Sequence, residues 1–238
     1  MSDSLHRLLD LQDRDLHADQ LRHRRATLPE RAALGERERA LTELDASRPT
    51  VADRLGALER SQKRLEDEVA SLTEKQAHEG TKLYSGTVTS PRELQAIQDE
   101  IELLARRQVM LEDELLEIME QAEPVQAELD GLDRRHTELI VEVDRLRTSL
   151  GDAERVVDDE LAAVDAERQA IATELPDDLL ASYEKLRSRL GGVAVARLEG
   201  SQCLGCHLSL PATEVDAIRH AAPDAVVTHE ECGRILVR

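Results

Sequence analysis

The chain has no tryptophan and no phenylalanine, and histidines apart its only aromatic side chains are Tyr84 and Tyr183. Without large rings to fill an interior, 238 residues do not build an ordinary globular core. Cysteine is scarce as well, with three residues confined to the last 36. That number and placement argue against a disulfide framework and for metal ligands in a reducing compartment. No apolar run approaches the length that crosses a bilayer, and the first residues, MSDSLHRLLDLQDRD, lack the uninterrupted apolar region of a signal peptide. A cytoplasmic location with no membrane partner is expected. The formal charge of −19 excludes broad attachment to nucleic acid or anionic lipid, though not a local site.

What is abundant is charge, at 34% of residues, interleaved with leucine and valine at helical spacing. Leu41, Leu44, Val51, Leu55, Leu58, Leu65, Val69 and Leu72 fall into heptads, with Arg48, Gln62 and Gln76 at core spacing. A second, longer series runs Leu94, Ile97, Ile101, Leu104, Gln108, Leu111, Leu115, Ile118, Ala122, Val125, Leu129, Leu132, His136, Leu139, Val143, Leu146 and Leu150. Between them lies EGTKLYSGTVTSP, residues 79–91. Gly80, Gly86 and the β-branched Thr87, Val88 and Thr89 weaken helix here, and Ser90, Pro91 and Glu93 have the spacing of a capping box. The expected element is a tip turn joining two antiparallel arms.

Folding about that turn predicts layers whose residue numbers add to a nearly constant value, such as Val69 with Ile101, Leu58 with Leu111, Leu55 with Leu115 and Leu44 with Val125. Gln62 would meet Gln108, either as a hydrogen-bonded pin for the alignment or as a solvated layer. Pro49 and Pro124 lie at nearly the same height in this alignment and predict a bend, since an interior proline costs a helix about 3 kcal/mol. Arg22, Arg24 and Arg25 would fall opposite Arg134, Arg135, Arg145 and Arg147. These arginines are either a solvated, internally ion-paired surface or a candidate site for phosphate or an acidic partner.

The chemistry is concentrated near the C-terminus. Residues 176–189, PDDLLASYEKLRSR, read as a short helix, and Gly191 and Gly192 separate it from the strand-like VAVARL. The expected division is a hairpin over 1–175 and a small second domain over 176–238. That domain holds Cys203-Leu204-Gly205-Cys206 and, after 22 intervening residues, His229-Glu230-Glu231-Cys232. Two close pairs of ligands, each in a tight turn, suit one tetrahedral Zn2+ per chain in a structural role. His207 is the competing ligand, but it adjoins Cys206, where a further bond to the same ion would strain the turn. A closed four-ligand site leaves no position for a reacting water, and no nucleophile, phosphate loop or carboxylate pair stands out elsewhere. Neither catalysis nor a small-molecule substrate is expected.

The tip KLYSGTVTSPRELQAIQDEI, the YEKLR helix and the ending CLGCHLSLP through CGRILVR together resemble the bacterial helical-hairpin proteins with a C-terminal four-cysteine zinc ribbon. The resemblance covers essentially the whole chain. It implies a mainly α fold, a long bent antiparallel coiled-coil hairpin carrying a small ribbon, in a family generally described as nucleic-acid-binding and discussed for some members as chaperone-like or adaptor proteins. Cys203, Cys206 and Cys232 take the family's ligand positions, while His229 stands where the family pattern usually has cysteine. Three-ligand binding and a histidine-completed site both follow as alternatives.

The favoured expectation is a protein-binding adaptor that contacts a partner through Leu83, Tyr84 and Val88 at the tip, with zinc stabilising a second surface. Nucleic-acid binding is the alternative. The ribbon itself is not basic and has no aromatic residue for base stacking, so binding would need the arginines of the rod. A purely structural spacer is the remaining reading.

Overall fold

The computed structural model describes residues 2–222 and 225–238. The fold is mainly α. Helices α1 (Ser2–Ala26), α2 (Pro29–Tyr84) and α3 (Pro91–Thr173) make a long, bent, antiparallel hairpin. They are followed by α4 (Asp177–Arg189), strands β1 (Val195–Glu199) and β2 (Gln202–Cys203), α5 (Ala212–His220), β3 (Val227–Thr228) and β4 (Ile235–Val237). The chain packs as two units, one of residues up to Ala33 together with Leu146–Arg238, the other of Leu34–Arg145. Among the described residues no helix is long and apolar enough to cross a membrane.

In the Leu34–Arg145 unit the heptad reading holds in detail. Leu55, Leu65, Leu111, Val125, Leu139 and Val143 are buried, and the other apolar heptad positions are half-buried, the degree of cover that one partner helix provides. Arg48, assigned to the core by spacing, is exposed and ion-paired with Asp133 instead. Helix α2 runs through Gly80 to Tyr84, which narrows the turn to residues 85–90. Gly86 supplies the left-handed conformation there, with φ of 73°. Pro91 opens α3 as expected, and the Leu94 amide donates to the Ser90 carbonyl at 3.0 Å. The reciprocal side-chain bonds of a capping box are not formed among the described residues.

The alignment of the arms differs from the expected one. Arg48 pairs with Asp133, Arg54 with Glu128 at 3.8 Å, His136 with Asp45 at 3.0 Å and Arg37 with Glu142 at 2.9 Å. Leu55 is therefore level with the region of Val125, about three helical turns from Leu115. The expected alignment assumed a turn centred near Ser85, whereas the loop is centred between Thr87 and Val88, which accounts for about half of the difference. Gln62 and Gln108 do not meet. Gln62 donates to Glu66 at 2.8 Å and Gln108 to Glu112 at 2.7 Å, each one turn along its own helix.

Helix persists through Pro49 and Pro124. The first arm is interrupted at Thr27 and Leu28, ahead of Pro29, which has no amide hydrogen to give the preceding turn and is suited to a first helical position. Thr27 closes α1 through amide bonds to the His23 and Arg24 carbonyls at 3.0 and 3.2 Å.

In the other unit the small sheet has the order β2-β1-β4-β3, with β1 and β4 parallel and the outer pairs antiparallel. One face of this sheet packs on the hairpin's base. Leu5, Leu8, Leu9 and Leu11 of α1, Ala172 and Leu175 beside the end of α3, and Leu179 and Tyr183 of α4 form one buried cluster with Ala194, Val195, Ile235 and Val237. A second cluster, within the small domain, joins Ala196, Cys203, Leu210, Val215, Ile218 and Leu236.

Candidate metal centre

Two turns of the same design bring the four ligand positions together. In the first, the His207 amide donates to the Cys203 carbonyl at 2.8 Å; in the second, the Gly233 amide donates to the His229 carbonyl at 2.7 Å. The residue after each second ligand is left-handed, with φ of 63° at His207 and 70° at Gly233. Gly205 is required for a different reason. A Cβ there would lie 2.6 Å from Arg234 Cδ and 2.8 Å from the Ala196 Cβ, so only a hydrogen fits between the turn and the sheet.

The three Sγ atoms and a ring nitrogen of His229 all lie within 4.8 Å of one another. His229 is 1% exposed, and its Nδ1 stands 3.0 Å from Cys232 Sγ and 3.3 Å from Cys206 Sγ. The other ring nitrogen, Nε2, is buried without a hydrogen-bond partner among the described residues. His207 is exposed and outside this cluster. A converging set of three thiols and one imidazole is able to coordinate a metal, and its sulfur-rich character matches the preference of zinc.

The environment of the thiols is uneven. Burial pushes the Cys203 thiol up. Burial acts in the same direction on Cys232, but hydrogen bonds from the Arg234 amide and side chain, from His229 and from Cys206 outweigh it and bring that thiol down to about 7. Arg234 is also tied to the segment that leads into β1, its Nε donating to the Val193 carbonyl at 3.1 Å.

A polar contact that sequence reasoning missed attaches this domain to α1. Gln12 is 6% exposed; its Oε1 accepts from the Ala194 and Val195 amides, both at 2.7 Å, and its Nε2 donates to the Val195 carbonyl at 2.9 Å. The side chain stands in for a neighbouring strand. One turn along, buried Asp15 accepts from the Tyr183 hydroxyl at 2.7 Å and from Arg168 Nε at 3.3 Å. Burial first, and then the hydrogen bond and charge of Asp15, push the Tyr183 phenol well above its ordinary range.

The candidate partner surfaces fare differently. Tyr84 is 87% exposed, whereas Leu83 and Val88 are half-buried. Arg22, Arg24, Arg25 and Arg147 belong to one unit, and Arg134, Arg135 and Arg145 to the other. Across from the first three stand acids of α3, not arginines: Asp165 at 3.4 Å from Arg22, Glu160 at 3.1 Å from Arg24 and Asp158 at 2.7 Å from Arg25. Asp158 raises the Arg25 guanidinium's affinity for its proton, first by hydrogen bonding and then by charge. Arg135 pairs with Glu138 on its own helix at 3.2 Å.

Known proteins share this architecture. The CT398-like coiled coil hairpin domain model matches residues 11–191, and the C4-type zinc ribbon domain model matches residues 202–236. An uncharacterized protein of Mycobacterium tuberculosis is 31% identical over 245 residues, an alignment covering 97% of this chain and 94% of that one. A solved structure from Mycobacterium smegmatis superimposes with a TM-score of 0.86 at 28% identity, covering 100% of this chain and 98% of the other. CT398 from Chlamydia trachomatis has the same fold, with a TM-score of 0.62 at 20% identity, covering 98% of this chain and 97% of its own.

Proposed function

Because the chain belongs to the CT398-like coiled-coil hairpin family and ends in a C4-type zinc ribbon, we propose that it is a non-enzymatic adaptor or chaperone-like protein whose hairpin tip engages a protein partner. The observation that carries this reading is Tyr84. It is the most exposed large apolar side chain among the described residues and sits at the end of α2 beside the turn. Leu83 and Val88 flank it with partial exposure and would complete the contact. The division into a hairpin over 1–175 and a ribbon domain over 176–238 is part of the same reading.

Cys203, Cys206, His229 through Nδ1, and Cys232 would hold one Zn2+ per chain. Zinc there supplies a cross-link between two turns in a domain with little apolar interior. Nucleic-acid binding draws less support, since Arg22, Arg24 and Arg25 are engaged by acids that phosphate would have to displace.

Crosslinking in the native host, followed by denaturing purification, tests the proposal. A protein recovered in stoichiometric amount with the wild type and lost with Tyr84→Ala, at unchanged helicity, is the expected result. Crosslinked RNA or DNA that disappears when Arg22, Arg24 and Arg25 are replaced by alanine would favour the alternative.

A further inference from the structure

Helix α3 carries a second apolar stripe that the hairpin leaves uncovered. Leu103, Val109, Met110 and Leu116 are 56%, 55%, 61% and 57% exposed. At 3.6 residues per turn they flank Arg106 and Asp113 on the face directly opposite the seam of Leu104, Gln108, Leu111 and Leu115. All of these residues lie in the Leu34–Arg145 unit. Between Arg92 and Arg134 the helix has only two cations, Arg106 and Arg107, in an otherwise acidic stretch. Neither has an ion-pair partner among the described residues, in contrast to Arg37, Arg48 and Arg54 on α2.

The stripe is its own antiparallel complement. Reversed about the midpoint of Val109 and Met110, Leu103 takes the level of Leu116, and Arg106 takes the level of Asp113. A two-fold keeps each flank of the face on its own side, so Val109 meets the other copy's Val109 and Met110 its Met110, while on the central row the unpaired cation meets an anion. Glu102 and Glu117 also exchange levels, and their like charges limit the compatible stretch to Leu103–Leu116.

We propose that this face of α3 associates with the same face of a second copy of the chain, antiparallel, with Arg106 of each copy paired with Asp113 of the other. A two-fold contact uses one patch twice, and a self-reversing pattern of size and charge is what such a contact requires. A partner of unrelated sequence would not need it. Two apolar side chains per copy at the contact, with Leu103 and Leu116 at its margins, fall short of the roughly 800 Å² per partner of a standard stable interface, so the dimer is weak and concentration-dependent.

Sedimentation equilibrium of the full zinc-loaded chain, from micromolar to near-millimolar concentration, tests this. Met110→Glu is expected to raise the dimer dissociation constant about tenfold or more, and Asp113→Arg alone to weaken association by placing two arginines level. Combining Arg106→Asp with Asp113→Arg should return the constant to within about threefold of wild type. Circular dichroism should be unchanged throughout, because these positions are exposed. A wild type that stays monomeric over the whole range overturns the proposal. So does a dimer indifferent to Met110→Glu, a charge swap without recovery, or a monomer that uses this face only for a different protein.

Discussion

At the scale of single residues, the Cys3His cluster was legible because each half of it is a local pattern, two candidate ligands separated by two residues, and local spacing survives whatever the rest of the chain does. Cys203→Ser is expected to lower bound zinc from about one equivalent per chain to a small fraction, measured by elemental analysis after gel filtration. Gln12 and Asp15 were not legible. Each is a polar residue on an amphipathic helix, the usual signature of a solvated face, and the groups they satisfy lie more than 150 residues away. Gln12→Ala leaves two buried amides and a carbonyl without partners, and should cost roughly 1 to 3 kcal/mol or more in urea denaturation. Tyr183 gives a pH signature. The folded state holds its proton more tightly than the unfolded chain, whose phenol titrates near about pH 10. The stability it confers is complete below that pH and declines as pH rises above it. Tyr183→Phe should lower stability by about 1 to 3 kcal/mol at neutral pH and flatten the alkaline decline, as followed by denaturation across that range.

At the scale of elements, the heptads identified both arms and their buried faces, since a repeat of three and four is written into each helix alone. Alignment of the arms is a different kind of quantity. It depends on where the turn begins and ends, and Gly80, which lowers helix propensity, is carried along by the helix that continues to Tyr84. A slide of about three turns, from one seam position to another, keeps the apolar residues on the seam, so periodicity cannot choose between alignments; the ion pairs Arg48–Asp133 and Arg54–Glu128 can. Cysteines placed at Leu55 and Val125, with the three native cysteines protected by zinc, should be joined by a short bismaleimide, and cysteines at Leu55 and Leu115 should not. Mass spectrometry of the digest decides between them. Helix also continues through Pro49, whose missing amide leaves one helical hydrogen bond unmade. Pro49→Ala is therefore expected to raise the melting temperature of the hairpin, by an amount corresponding to about 3 kcal/mol at most.

At the scale of the whole molecule, the composition was the most informative feature: a chain without Trp or Phe builds helices that cover one another and a ribbon whose own apolar cluster is small. Removing the metal should act selectively. With a strong chelator, hydrogen exchange is expected to accelerate over 194–237 and over α1 near Leu5–Gln12, which shares a buried cluster and three hydrogen bonds with the ribbon. Residues 34–145, a separate unit, should keep their protection. That shared cluster also sets a timetable for biosynthesis. Leu8 and Leu11 leave the ribosome early, yet Ile235 and Val237, which cover them, are translated more than two hundred residues later. During that interval the first helix presents leucines that β4 has yet to cover to whatever holdase attends the nascent chain, and a truncation that removes Ile235–Val237 would make the exposure permanent.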